Sequence, residues 1–425
     1  MRIAFLVHEF PTLSETFIIN QAVGLIKRGH QVDIYAEKQG DIDHLQPLVK
    51  QYNLLERTYY LLTMPENLFE RGLKGINLLR KYLTLDRKKS FKSLDVWRYG
   101  LEALSFRLIY MLVPQCEQPY DIIHCQFGTQ GYRGIWFRKI NSPQANLITT
   151  FRGQDISKYV EEKGTHVYDK LFKEGNYFLT NCDFFKQRII ALGCDPNLIS
   201  VLRSGLNYQQ FIFKPRFLEK NQKICIATTG RLVEKKGIEY SIRAVAKQAE
   251  ITPNLKYNII GDGELRPHLE QLIKTLKMQN IIQLVGWKNE QEIKEILDNS
   301  HIFIAPSVTA KDGNQDAPIN VLKEAMAMGL PVISTYHGGI PELVEDGVSG
   351  YLVPERDVDA LADKLNLLIQ HPEQWKDMGK AGRDYVEKHY DLDKLNDNLV
   401  DIYQQVLNSN QTLFNLNLNS VTLSS

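Results

Sequence analysis

The chain has 425 residues with 43% hydrophobic content, enough for two soluble cores, and at roughly 100–200 residues per domain it divides into two or three domains. Its 51 basic and 50 acidic side chains leave a formal net charge of +1, which argues against a nucleic-acid binder. Five cysteines, Cys116, Cys125, Cys182, Cys194 and Cys225, are odd in number, widely separated and without CxxC or Cys/His spacing, so a disulfide framework or zinc site is disfavoured and a reducing, cytoplasmic compartment fits.

In chain order, MRIAFLVHEFP carries one basic residue and a short apolar run, and reads as a buried strand (3–7) rather than a signal peptide. Apolar residues at helical spacing follow over 14–29, ending at Gly29, and 31–36 is the next strand. Segment 45–115 breaks the rhythm with long helical stretches. Strand patterns resume at 121–127, 146–151 and 176–181. Proline-containing polar text over 207–222 marks a domain boundary. A second series then runs through strands 223–230, 256–263, 280–286, 301–306 and 331–335, with helices between them, the first over 237–249. Helical patterns occupy 357–370, 372–388 and about 391–407. The Asn-, Ser- and Leu-rich tail from 408 is expected to be disordered. No run approaches the roughly 18 apolar residues of a membrane-spanning helix.

Alternating strands and helices predict an α/β protein with two doubly wound parallel-sheet domains facing across a cleft. The expected division is 1–206, 207–389, a helix over 390–407 that packs back on the first domain, and the tail 408–425.

Four stretches appear in a characteristic order: GRLVEKKG (230–237), GDGEL (261–265), VGW (285–287) and DAPINVLKEAMAMGLPVISTYHGGIPELVEDGVSGYLV (316–353). Together they resemble the retaining nucleotide-sugar glycosyltransferases of the GT-B fold, the glycosyl transferases of group 1. FPTLSETFIINQ (10–21) is similar to the exopolysaccharide branch, the colanic-acid-type enzymes. The resemblance implies two Rossmann-like domains, a nucleotide-sugar donor on the second, a glycan or lipid-linked acceptor on the first, and retention of anomeric configuration.

The residues support parts of this independently. Arg231 and Lys236 flank a turn leading into a helix, and a helix N-terminus with two cations makes a diphosphate site. The free N–H groups of Asn320 and Val321 could cradle a phosphate or sugar oxygen. Glu324 lies in a mostly apolar helix, where a carboxylate without hydrogen-bond donors would be costly; two ribose hydroxyls would serve, as the resemblance implies. Asp316 and His124 are the candidate catalytic residues. Asp316 stands where the family has Glu, followed by Ala-Pro rather than Gly, so it reads either as a contact to the reacting sugar or as a helix N-cap. His124 ends its strand and is expected to face the cleft, with a packed core histidine as the alternative. Gln126 stands where the family has a second His, and Gln cannot carry a proton at neutral pH. Arg152, where the family has His, is a sugar or acceptor contact or an ion-pair partner of Asp155. Ser14 and Glu15 open the first helix as acceptor contacts, with Ser14 alternatively an N-cap.

Neither a cofactor nor a metal is expected. The Asp-x-Asp pairs at 357/359 and 391/393 precede helices and read as caps, and the cations can stabilise the leaving group. Segment 70–107 holds ten Lys/Arg against four Asp/Glu, interleaved with Phe91, Trp97, Tyr99 and Phe106, which reads as a solvated face or as a peripheral contact with the inner face of a membrane. A same-fold nucleotide-sugar epimerase and a non-catalytic sugar-nucleotide-binding protein are the rival functions.

Overall fold

The computed structural model describes residues 1–12, 15–43, 45–113 and 118–422, with side chains to residue 409. Ser14 therefore lies outside the described residues.

Two all-parallel sheets organise the chain. The first has seven strands: β1 (Arg2–Phe10), β2 (Gln31–Gln39), β3 (Thr58–Tyr60), β4 (Ile122–Cys125), β5 (Asn146–Phe151), β6 (Tyr177–Thr180) and β7 (Ile199–Val201), in the order β3-β2-β1-β4-β5-β6-β7. The second has six: β8 (Ile224–Thr229), β9 (Leu255–Ile260), β10 (Ile282–Gly286), β11 (Ile302–Ala305), β12 (Val332–Thr335) and β13 (Gly350–Val353), in the order β10-β9-β8-β11-β12-β13. Helices cover both faces, so the central strands are continuous apolar runs rather than alternating ones: Ile3 through Val7 are all fully buried. The strands absent from the sequence reading, β3, β7 and β13, are all sheet edges of three or four residues. Runs that short carry no readable period.

Of the helical stretches expected between β3 and β4, one long helix forms, Leu68–Leu85, and short pieces follow it. Asn67, Asp86 and Asp95 each cap a new helix, their side chains accepting the N–H groups of Phe69 and Glu70, Lys89, and Arg98.

The tail expected to be disordered lies, from residue 410, outside the described side chains, and the helix expected over 390–407 begins at Leu392. It contains no Gly or Pro to stop it, and its first turns are anchored by packing, so propagation needs no new nucleus. Its Leu399, Tyr403 and Val406 join Ile3, Phe5, Ile18 and Ile122 in the core of the first domain. Gly24 permits the close approach: a Cβ there would lie 2.2 Å from the Asn396 side chain. The chain thus passes between domains twice, side by side, with the Leu206 N–H donating to the Tyr390 carbonyl at 2.7 Å and the Leu392 N–H to the Leu206 carbonyl at 3.2 Å.

The carboxyl ends of the two sheets face each other. Loops following β5 and β6 meet loops following β11 and β12: Lys158 pairs with Asp312 at 3.0 Å and Arg188 donates to the Gln315 side chain at 2.6 Å. The Glu342 carboxylate accepts the N–H groups of Asp183 and Phe184, each at 2.7 Å, capping the helix Asp183–Ala191 from across the cleft.

Tyr403 is fully buried and its hydroxyl meets His124 Nδ1 at 2.6 Å. Tyr403→Ala should cost about 3–5 kcal/mol, the range for deleting a buried aromatic ring. Urea unfolding of the full chain checks this, and a loss below about 1 kcal/mol would mean the C-terminal helix is not anchored there.

Candidate active site

In an open parallel sheet, ligands bind at the carboxyl ends of strands where the winding direction reverses. In the second sheet that point lies between β8 and β11. After β8 the chain makes a tight turn, Gly230 to Gly237, before the helix Ile238–Ile251. Two glycines allow the turn to close on its neighbours. Gly237 has φ +60° and a Cβ there would sit 2.0 Å from the Pro306 carbonyl oxygen; Gly261, with φ +131°, would strike the Gly230 oxygen at the same distance.

The turn delivers Lys235 and Lys236, and the loop after β11 delivers Asp316. Lys236 Nζ lies 2.7 Å from Asp316 Oδ2 and Lys235 Nζ 2.9 Å from Oδ1, while the Ser307 hydroxyl donates to Oδ2 at 3.2 Å. Burial alone would push the Asp316 carboxyl up, but Lys236 and then Lys235 outweigh it and hold it well below the usual carboxylate range. Burial pushes the Lys236 ammonium down, partly offset by Asp316. Asp316 is not a helix N-cap, because the next helix starts at Asn320 with Ile319 in the capping position. Arg231 is exposed on the same turn and its field reaches Lys236.

A second layer orients Asp316. Its backbone N–H donates to His337 Nε2 at 2.9 Å, which fixes the imidazole proton on Nδ1, and Nδ1 faces Glu355 Oε1 at 2.6 Å. Glu355 also accepts the Thr309 N–H at 2.7 Å. Sequence reasoning assigned no role to Lys235, His337 or Glu355. Lys235 was visible as a neighbouring cation, but nothing in the sequence signalled that residues 18 positions apart, His337 and Glu355, would share one proton.

The helix Asn320–Ala327 begins four residues after Asp316. Among the described residues no acceptor meets the N–H groups of Asn320 and Val321. One turn on, Glu324 is half-buried, and its carboxylate has no hydrogen-bond or ion-pair partner among the described residues. Burial pushes its pKa up to about 7, with Lys323 opposing. Lys323 does not neutralise it: that ammonium is fully buried, donates to the Ser204 carbonyl at 2.8 Å and lies 4.8 Å from the Tyr390 ring centre.

In the first domain the structure corrects the expectation for His124. It does not face the cleft. It is fully buried, with Nε2 2.6 Å from the Thr150 hydroxyl and Nδ1 on Tyr403, and burial pushes its pKa down to about 3. It is a neutral residue packed between the Thr150 and Tyr403 hydroxyls. The alternative reading of Arg152, an ion pair with Asp155, gives way to other contacts. The Arg152 guanidinium donates to the Gln126 side chain at 2.7 Å and to the Gln126 carbonyl at 3.0 Å, and stacks 4.0 Å from the Phe17 ring centre. Asp155 instead accepts the backbone N–H groups of Gly128, Arg152 and Gly153 at 2.8–2.9 Å and so shapes two loops. Gln126 is itself buried, holding Arg152 in place. Glu15 lies near Arg152 and His8, its carboxyl pushed up by burial. His8, unremarked in the sequence, is half-exposed at the end of β1 with Nε2 2.6 Å from the Thr129 hydroxyl.

Two facing Rossmann-like domains, each built on an all-parallel sheet, make up the GT-B glycosyltransferase architecture. Residues 209–385 match the family model for glycosyl transferases group 1, and the chain belongs to that family. The amylovoran biosynthesis glycosyltransferase AmsK of Erwinia amylovora is 35% identical over 374 residues, 87% of this chain and 91% of that protein. The provisionally named colanic acid biosynthesis glycosyltransferase WcaL of Escherichia coli (strain K12) is 32% identical over 415 residues, 95% of this chain and all of that protein. Among solved structures, Anabaena HepE in complex with UDP and glucose superposes with a TM-score of 0.70 over 95% of this chain and 100% of that one, at 17% identity.

The Glu324 environment has a consequence for stability. Its folded pKa of about 7 lies above its ordinary value of 4.5, so its contribution is complete below pH 4.5 and is lost as pH rises through 7. Glu324→Gln should therefore stabilise the ligand-free chain at pH 8 by on the order of 1–3 kcal/mol, and the gain should fade toward pH 4.5. Denaturant titrations from pH 5 to 8 measure it; a gain that does not vary with pH contradicts the buried, unpartnered acid.

Proposed function

We propose that this glycosyltransferase moves a sugar from a nucleotide-diphosphate donor, held by the second domain, to a glycan or lipid-linked glycan acceptor held mainly by the first. On this reading configuration is retained, and the product belongs to exopolysaccharide or cell-envelope polysaccharide biosynthesis, at the cytoplasmic face of a membrane. The observation that carries the reading is Glu324, a half-buried acid without donors among the described residues, on the helix that begins four residues after Asp316, the carboxylate held by Lys235 and Lys236. A nucleotide's ribose diol supplies the missing donors and its diphosphate meets the cations. Lys235, Lys236 and Arg231 against Asp316 leave a formal charge of about +2, the complement of a diphosphate diester. The names of AmsK and WcaL support the polysaccharide assignment, and UDP with glucose in HepE supports a uridine nucleotide.

The chemistry proposed is front-face substitution. The bond from the anomeric carbon to the diphosphate oxygen breaks, the acceptor hydroxyl bonds to the same face, and its proton passes to the departing phosphate oxygen. Lys235, Lys236, Arg231 and the Asn320 and Val321 N–H groups stabilise the growing phosphate charge. Asp316 keeps both lysines aimed into the pocket and lies beside the reacting sugar. On this reading the departing phosphate oxygen, not His124, takes the acceptor's proton. Contacts across the cleft, such as Arg188 to Gln315, bring acceptor and donor together and exclude water.

Lys236→Ala and Glu324→Ala should each weaken UDP-sugar binding by about 10–100-fold, the loss expected for one charge-assisted contact, while the protein remains folded. Calorimetry with UDP-glucose and a transfer assay with and without acceptor measure this; unchanged affinity and turnover in both variants would end the proposal. Product released without acceptor would point instead to an epimerase.

Because protein cations carry the leaving-group charge, transfer should be unchanged, within about twofold, in excess EDTA. Abolition by the chelator and rescue by Mg²⁺ or Mn²⁺ would show that a divalent metal does this work.

A further inference from the structure

The insertion between β3 and β4 is apolar on two sides. Its longest helix, Leu68–Leu85, turns Arg71, Gly75 and Tyr82 inward. Gly75 is pressed so close to Phe106 that a Cβ would lie 2.9 Å from it. At about 100° per residue, Phe69, Leu73 and Ile76 fall on the opposite side. All three are exposed, Phe69 to 76%. A helix that buries one stripe ordinarily presents polar residues on the other; this one presents a second apolar stripe. The pieces that follow expose Phe91, Val96, Leu101 and Leu104 as well, and Trp97 is fully exposed. Exposed apolar surface gathered in one subregion marks a contact site rather than ordinary scatter.

Charge says what the contact is. The ten Lys/Arg against four Asp/Glu of 70–107 make this segment +6 in a chain whose net is +1, so the remainder is −5. Arg80, Lys81, Arg87, Lys88 and Arg98 are exposed and pair with no carboxylate among the described residues. Lys92 is pushed down by burial and by the like charges of Arg98, Lys89 and Lys88 around it. Crowded cations beside exposed Trp, Phe and Leu fit phosphates above an acyl layer. A second copy of the same +6 face would be repelled. No helix among the described residues is long and apolar enough to cross a membrane, so attachment would be peripheral.

We infer that this insertion docks the chain on an anionic lipid bilayer, with Phe69, Trp97, Leu101 and Leu104 entering the acyl boundary while Lys88, Lys92 and Arg98 meet lipid phosphates. The inference rests on the transferase reading above and extends it by naming the surface that brings a lipid-linked acceptor within reach. The −5 remainder, repelled by the same bilayer, turns the rest of the molecule away and sets its orientation.

The test is sedimentation of the full chain with vesicles of equal parts phosphatidylglycerol and phosphatidylcholine, against phosphatidylcholine alone. The wild type should bind the anionic vesicles about tenfold more tightly, with salt weakening the contact, and its tryptophan emission should shift to the blue. A Phe69→Ala/Trp97→Ala/Leu101→Ala variant and a Lys88→Glu/Lys92→Glu/Arg98→Glu variant should each lose about tenfold in vesicle affinity. Both should bind UDP-glucose as the wild type does, which shows that they fold. A wild type that stays in solution with anionic vesicles, variants that bind like it, or a dimer in solution that the apolar variant abolishes would each overturn the inference. Failure of the transferase reading appears separately, as a wild type that binds vesicles but no UDP-sugar.

Discussion

A buried carboxylate between two lysines is the interaction around which the rest is arranged. Asp316 accepts from Lys235 and Lys236 at the point where the second sheet reverses direction. Isolated, any one of these charges would be costly in so sheltered a position. Together they leave an excess of positive charge that a diphosphate can answer. The geometry is enforced from below by glycines that bring the turn after β8 against the start of the loop after β11, and from behind by His337 and Glu355. Each device lies at the carboxyl end of a different strand, which is why the pocket exists only when the sheet is formed.

Charge is managed differently in the two domains. In the second, Asn320, Val321 and Glu324 are partly open and carry unspent hydrogen-bonding capacity: among the described residues Glu324 has no donor and the N–H groups of Asn320 and Val321 no acceptor. In the first, His124, Gln126, Arg152 and Asp155 are bound up with one another or with backbone, and their work is to shape the loops that form the other wall of the cleft.

The two walls are not independent. Glu342 caps a helix of the first domain from the second, and the C-terminal helix returns to the first domain to close over His124. Lys323, next to Glu324, reaches back to Ser204 in the segment where the chain crosses between domains. The helix that carries Glu324 is therefore physically joined to the crossing point.

Much of this was legible in the amino-acid order alone. Continuous apolar runs bounded by turns specify parallel strands, helical periodicity specifies their covers, and local chemistry placed Lys236, Asn320, Val321 and Glu324 on the right turn and helix, because those features depend on near neighbours. What the sequence could not decide were contacts between residues distant along the chain. Whether Asp316 caps a helix or pairs with lysines 80 positions away, whether His124 meets the cleft or Tyr403, and whether Arg152 pairs with Asp155 or with Gln126 are settled by which loops the sheets bring together. Edge strands of three or four residues and the two-sided helix Leu68–Leu85 belong to the same group, since a stripe of side chains becomes inside or outside only once a neighbour covers one of its faces.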